Sequence, residues 1–578
     1  MKARSFCTII SLGFCLKNEF GGAIMQKWML TLILGFGMLT FIGCNDGTSS
    51  VLSEDYAEQT EVAMTTPFGK YPEEVVYTLG KMTGANNSNM PAGDTFENNA
   101  YTRYLKKTLN IQNINVFEES ADYDNVVSMA ITAEDLPDVM VVSDMEQLQL
   151  LIEKDLIEDL TQVYKDCTSD TIKAIYNSYG NEILENVTRD GKLMALPETN
   201  IENGPSLIWL RKDWMNKLGL EDPKNLGDVE NIIRQFIAKD PGGNGKGNTI
   251  GLVSDANLVG EAGYSYEYQL DLIFATYGAY PKQWIYNAAG ELVYGSTQPE
   301  AKQALERLQE MYKEGILDPQ FLLRSTDNII ELIKRGKSGS FFGPWWAPNN
   351  PLIEAKKFNP NAEWQPYLIS TDEDGTTSYV SQNPSYKYVV VRKGYEHPEI
   401  VMKIVSVLFD YARFQDEEAY EVGQYYKLNV DPTARPLAIN VDFADALMRC
   451  YKDLVDVFSG KKTKSDLKQL ELSYYDACAE YLERGSFASV EDWAAYTSRI
   501  TACGVIDEGR TEQVKSLFFG ETETMQKQWW KLKKMEEEYY LQIITGEASI
   551  EEFDKFVHEW KQNGGEIITE EVRQCVEQ

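Results

Sequence analysis

From Val75 onward the chain alternates short apolar runs with helix-period segments, and this alternation restricts it to one broad class of architecture. Val75–Leu79, Ile114–Phe117 and Val139–Val142 read as strands. Thr95–Leu109, Asp124–Ile131 and Met145–Leu151 read as the helices between and after them. Such an order places parallel strands in one sheet with helices on its faces, an α/β fold. The theme restarts with strand Leu207–Leu210 and helix Lys212–Leu218, for which Gly219 is the C′ stop. Thr297-Gln298-Pro299-Glu300 and Ser549-Ile550-Glu551-Glu552 read as capping boxes that open two later helices. A longer helix, Thr522–Ile544, sets Met525, Trp529, Leu532, Glu536 and Tyr539 on one stripe. Helix dominates the C-terminal third, and no internal repeat is present.

The beginning of the chain indicates where it works. Met25 and Lys27 precede an uncharged, mostly apolar run of 15 residues, Trp28–Ile42. A helix needs about 20 such residues to cross a bilayer, so the run reads as the core of a signal peptide. It ends in Phe41-Ile42-Gly43-Cys44, which resembles the bacterial lipobox. Residues 1–43 are therefore expected to be leader and lipoprotein signal, with Met25 as the true start. Cys44 is expected to be the lipidated N-terminus of the mature chain, anchoring it to the outer face of the cytoplasmic membrane. The polar, aperiodic residues 44–66 read as a flexible tether.

Composition removes several functions. A formal charge of −34 repels nucleic acid and anionic head groups, so neither is an expected partner. The two histidines, His397 and His558, cannot build an HExxH zinc site and argue against a His-based triad. Beyond Cys44 five cysteines remain: Cys167, Cys450, Cys478, Cys503 and Cys575. Their odd number and wide spacing suit buried free thiols better than a disulfide framework or a metal site, though Cys478 and Cys503 could bridge. The 33 Tyr and 11 Trp suit a large core, or a cleft that grips flat apolar faces.

Several motifs, weak singly, combine in a fixed order: Ala133-Glu134-Asp135-Leu136-Pro137-Asp138-Val139, Asp190-Gly191-Lys192-Leu193-Met194-Ala195-Leu196-Pro197, and Leu210-Arg211-Lys212-Asp213-Trp214. Tyr294-Gly295-Ser296-Thr297-Gln298-Pro299-Glu300, Phe342-Gly343-Pro344-Trp345-Trp346 and Glu552-Phe553-Asp554-Lys555-Phe556 continue the series. Together they resemble the extracellular solute-binding proteins of ABC importers, specifically the maltose-type family (family 1) and its large Gram-positive lipoproteins. The resemblance implies a two-lobed periplasmic-binding-protein type II fold, each lobe a mostly parallel sheet flanked by helices, with a helix-rich C-terminal part. Residues 67–199 with about 385–430 would form the first lobe, and 204–380 with about 431–578 the second. Crossings are expected near Leu196–Gly204 and Val380–Tyr388, with hinge closure over a solute between the lobes.

The same resemblance implies a carbohydrate ligand, an oligosaccharide above all, permease subunits as partners, a monomer, and no catalytic residues. It places a stacking aromatic after Gly-Pro, which is Trp345 here, with Trp346 beside it. Further ligand candidates are Glu198, Asn200, Glu202 and Asn203 at the first crossing and Tyr386 at the second. Tyr264, Tyr266 and Trp284 lie in an aromatic-rich stretch; Asn86, Asn87 and Asn89 follow the first strand. No cofactor is expected beyond a weak calcium candidate. Asp240, Asn244, Lys246 and Asn248 sit in a loop of EF-hand type, but Gly242 and Gly251 occupy two ligand positions. The rival readings are a surface glycan-degrading enzyme and a ligand sensor or receptor for peptides or other small solutes.

Overall fold

The computed structural model describes residues 47–84, 89–180, 182–260, 267–428 and 430–577. The chain divides into two compact units, Met1–Asp55 and Tyr56–Gln578, and the second contains both lobes. The lipidation candidate Cys44 lies outside the described residues.

The first lobe is built as the alternation requires. Strand β1 (Val75–Met82) pairs in parallel with β2 (Ile111–Glu119) on one side and β3 (Val139–Val142) on the other. Helix Ala100–Leu109 connects β1 to β2; Asn99 caps it by accepting from Tyr101 N and Thr102 N. Two further strands complete this sheet, Tyr388–Val391 against β3 and Leu196–Pro197 beyond it, both antiparallel to their neighbours. The sheet is thus parallel only over its first three strands. Its core runs from Ala63 to Leu196 and from Tyr388 to Val441, so the chain returns here after building much of the second lobe.

The second lobe departs from the mostly parallel sheet expected of it. Leu207–Arg211 is the middle strand of three, with Ser340–Gly343 and Trp364–Tyr367 antiparallel on its two sides. All five residues of the middle strand are buried, and a run buried on both faces carries no signal for strand direction. Parallel contacts survive as isolated bridges, Ile250 to Ser338 and Leu252 to Leu317. Helix Glu523–Thr545 covers this lobe, capped by Thr522 and ended by Gly546 in the left-handed region. Within its stripe the buried Glu536 carboxylate accepts from Tyr294 Oη at 2.9 Å and Ser296 Oγ at 2.8 Å.

Neither expected capping box forms, although both helices do. Pro299 starts Pro299–Glu314 at its first turn, and the Thr297 hydroxyl donates to Tyr294 O instead. Pro at this position needs no donor partner and presets φ, so the box is redundant. Glu552–Trp560 likewise begins without a side-chain cap.

The tether expected over 44–66 is also corrected. Gly47–Thr65 is helical, and Ala63 is buried. The fastener is Lys403, whose Nζ donates to Ala63 O at 2.7 Å, Thr66 O at 2.7 Å and Gly69 O at 2.8 Å. One ammonium thus satisfies three carbonyls at the point where the helix stops, and sequence polarity gave no sign of a partner more than 300 residues away. Lys403→Met leaves those carbonyls without a donor, a loss of about 2 kcal/mol. Amides of residues 56–69 should then exchange with solvent distinctly faster; unchanged exchange rates would contradict this anchoring.

Candidate functional site at the crossings

Three segments, not two, join the lobes. Leu196–Gly204 runs beside Val380–Tyr388: Glu198 N donates to Lys387 O at 2.8 Å and Asn200 N to Pro384 O at 2.9 Å. On its other side lies a third segment, Ile439–Ala444, with Thr199 N to Asn440 O and Glu202 N to Ala444 O, both 2.8 Å. The short apolar run Leu437-Ala438-Ile439 after Pro436 was its only trace in the sequence. Gly204 ends the first crossing at φ +70°, where an added Cβ would meet Ile506 Cγ2 at 3.3 Å. A side chain here would be strained twice, in backbone and in space.

These crossings position a candidate site. In the first lobe, the C-terminal end of β3 meets the start of Tyr388–Val391, where Tyr388 opposes both Val142 and Pro197. Loops at strand C-termini are the usual place for ligand in such sheets. In the second lobe Gly343 opposes Leu207, so Pro344, Trp345 and Trp346 leave the sheet next to the first crossing.

Trp345 is only 6% exposed. Its Nε1–H donates to Asn203 Oδ1 at 3.1 Å, and the Asn203 amide donates on to Gln382 Oε1 at 3.4 Å. Asn203 therefore joins two crossings to the indole. The Arg499 guanidinium lies over the Trp345 ring, 4.3 Å from its centre. Trp346 is half-buried against the same core cluster.

The polar candidates of the crossings are engaged with the chain itself. Glu198 is buried with Lys387 Nζ at 3.5 Å; burial pushes its carboxyl up, against the opposing pull of Lys387. Asn200 Nδ2 donates to Asn383 O at 3.0 Å. Glu202 accepts from Gly204 N and from the Gln513 amide, and burial raises it too. Tyr386 is half-buried on the second crossing, its hydroxyl pushed up by burial. Asn89 is exposed in the loop after β1. Asn86, Asn87, Tyr264 and Tyr266 lie outside the described residues.

Trp284 is corrected. It packs 5.0 Å from Tyr294 and 6.2 Å from Trp529 inside the second lobe's core, under the long C-terminal helix. Its aromatic neighbourhood is a core cluster, since both rings that flank it are second-lobe side chains. The calcium candidate does not fit a cation either. Asp240 Oδ1 accepts from Asn244 N and Thr249 Oγ1, and Oδ2 from Gly245 N. These donors lower the carboxyl and occupy it, Thr249 most of all. Asn244 and Asn248 turn their amide N–H groups to loop and backbone oxygens, and Lys246 is exposed. One carboxylate among them falls short of the six to eight oxygens calcium takes. No group of three or more His, Cys, Asp or Glu among the described residues could hold a metal.

Sequence reasoning missed the acidic wall of the second lobe. A narrow recess beside the crossings is lined by Ser206, Asp271, Tyr280, Ser378 and Tyr379. Asp271 Oδ1 accepts from Gly260 N at 3.2 Å, while Oδ2, Ser206 Oγ and Gln382 Nε2 have no hydrogen-bond partner among the described residues. Burial pushes the Asp271 carboxyl up to about 6. Burial likewise raises Asp255, which follows Val253 toward the same end of the sheet. Such hydroxyl and carboxyl groups can accept from or donate to a polar ligand. Single carboxylates in a chain of 89 acidic residues carried no signal of this.

The family now follows. Residues 87–412, more than half of the chain, match the family model described as bacterial extracellular solute-binding protein. The chain belongs to this family, the family 1 solute-binding proteins of ABC transporters, and is a binding protein rather than an enzyme. Among curated relatives, the polygalacturonan/rhamnogalacturonan-binding protein YtcQ of Bacillus subtilis (strain 168) is 20% identical over 468 residues, 78% of this chain and 83% of that protein. Among solved structures, the alginate-binding protein AlgQ2 without calcium ion has a TM-score of 0.56 at 14% identity, covering 89% of this chain and 99% of that one. The Streptococcus pneumoniae substrate-binding protein FusA in complex with kestose gives 0.56 at 15% identity, covering 87% and 99%. These structures share the two-lobed fold.

The raised Asp271 carboxyl gives a test with a defined sign. The folded chain binds its proton more tightly than the unfolded chain, so the ionised form costs stability above about pH 6, and the cost fades as pH falls toward 3.8. Asp271→Asn removes the charge and should raise the melting temperature near pH ~7.5, by about 2 kcal/mol or less of stability, converging with the parent near pH ~4. An equal offset at both pH values would contradict the burial of this charge.

Proposed function

We propose that this chain captures an oligosaccharide between its lobes and hands it to an ABC importer, held at the outer membrane face by a lipid on Cys44. The observation that carries the reading is the Trp345–Asn203 hydrogen bond at the first crossing, whose next residue, Gly204, lines the recess that holds Ser206 and Asp271. Carboxyl, hydroxyl and amide groups near the crossings suit a ligand with many hydroxyls. The ligands named for the similar proteins, polygalacturonan, rhamnogalacturonan, alginate and kestose, are carbohydrates throughout. Closure about the three crossings is the output, and recognition of the closed form by permease subunits gives transport its direction. The chain acts as a monomer. The signal-like run ending at Cys44 supports the anchor.

Thermal melting of residues 46–578 against mono- and oligosaccharides, amino acids and peptides tests this. A ligand at 100 times its Kd adds about 2.7 kcal/mol. A rise confined to saccharides is expected. A rise with peptides or amino acids alone, or with nothing in the panel, would refute the carbohydrate reading.

A further inference from the structure

The chain holds 89 acidic and 55 basic residues, so a guanidinium without a carboxylate does not reflect a shortage of carboxylates. Arg499 has no carboxylate partner among the described residues. It sits on a wide i→i+5 helical turn, Thr497–Ala502, and is half-buried. Its Cζ lies 4.3 Å from the centre of the Trp345 ring and 3.9 Å from that of Tyr474. Nη2 donates to Tyr474 Oη at 2.7 Å, which engages one of its five N–H groups.

Comparison with other arginines shows how unusual this is. Arg211 also stacks on an indole, Trp214 at 4.6 Å, but it is forked onto Asp213 through Nε and Nη2, both at 2.8 Å. Arg413, on the first lobe near the third crossing, is paired to Asp442 at 2.8 Å. Arg435, which lacks a carboxylate, gives Nη1 to Ile439 O and Asn440 Oδ1. Arg435 too lies near two rings, Tyr101 at 5.9 Å and Phe409 at 4.9 Å, but Arg499 meets both of its rings more closely and gives only one hydrogen bond among the described residues. Stacking holds the guanidinium plane without neutralising it, so the fork is pre-organised for a planar, bidentate anion. Its place is equally specific, because the indole beneath it is hydrogen-bonded to Asn203 of the first crossing.

We infer that Arg499 is a specificity-determining residue that binds the carboxylate of an acidic sugar, so that the ligand is an oligouronide rather than a neutral oligosaccharide. This rests on the oligosaccharide reading and narrows it. The surrounding negative charge makes a local cation necessary for such a ligand, since long-range repulsion opposes its approach. Tyr474 acts as a positioning residue, holding the guanidinium flat on Trp345.

The test is calorimetry of the anchor-free chain with trimers of galacturonate, mannuronate and glucuronate, each beside its carboxyl-reduced neutral counterpart. At least one acidic trimer should bind, at least thirtyfold more tightly than its neutral form. Arg499→Gln should abolish that preference, bringing acidic and neutral trimers to within about threefold of each other, and Arg499→Lys should retain part of it. Unchanged far-UV circular dichroism and thermal melting of the ligand-free variants serve as the folding control. Neutral trimers binding as tightly as acidic ones would overturn the inference and leave the oligosaccharide reading standing. Acidic binding that is unaffected in Arg499→Gln would overturn the role of Arg499. No binding of any trimer, acidic or neutral, would overturn both readings together.

Discussion

Everything proposed for this molecule depends on the lateral main-chain hydrogen bonds that tie Leu196–Gly204 to its two neighbouring crossings. Thr199 and Asn200 lie in one stretch, yet one N–H reaches Asn440 O and the next reaches Pro384 O. The middle segment is therefore held on both sides, as in a small sheet, and the three segments must bend together. Such a ribbon resists sliding and shear but permits a hinge across its width. Side chains reinforce it: Glu198 with Lys387, Asn200 with Asn383, Asn203 with Gln382. The polar residues that read as ligand grips at the first crossing largely lace the hinge itself.

That lacing places the chemistry. Trp345 leaves the second lobe's sheet at the residue pair where the first crossing enters it, and Asn203 fixes its indole. Near the crossings, Asp271 Oδ2, Ser206 Oγ and Gln382 Nε2 have no partner among the described residues, and Arg499 gives one hydrogen bond, to Tyr474. Each is costly to leave unmatched while folding and useful for recognising a polar ligand. By contrast, the buried thiols Cys450, Cys478 and Cys503 are free, with burial pushing them to about 11 or 12, and belong to the packing of the helical part.

The sequence was most legible where pattern and geometry coincide. β1, β2 and β3 and their helices follow directly from alternation, and the structure sets Trp345 of the Gly-Pro-Trp motif against Asn203 of the first crossing. Strand direction in the second lobe was not legible, because Leu207–Arg211 is buried on both faces. Nor could the anchoring of the N-terminal helix be read, since its partner is a single lysine far along the chain. Trp284 misled because an aromatic-rich stretch is equally a core cluster. Arg499 was invisible for a different reason: it meets two rings and no carboxylate among the described residues, which only the three-dimensional arrangement reveals.

The central claim is that the lobes close over a saccharide held at the crossings. Spin labels at Met129→Cys on the first lobe and Leu323→Cys on the second, both highly exposed positions, would report it by pulsed dipolar spectroscopy. Exposed Cys575 would be replaced by Ser, and the buried thiols left in place. The account predicts that a binding oligosaccharide shifts and narrows the interlobe distance distribution. An unchanged distribution with saturating saccharide would contradict closure and with it the receptor mechanism.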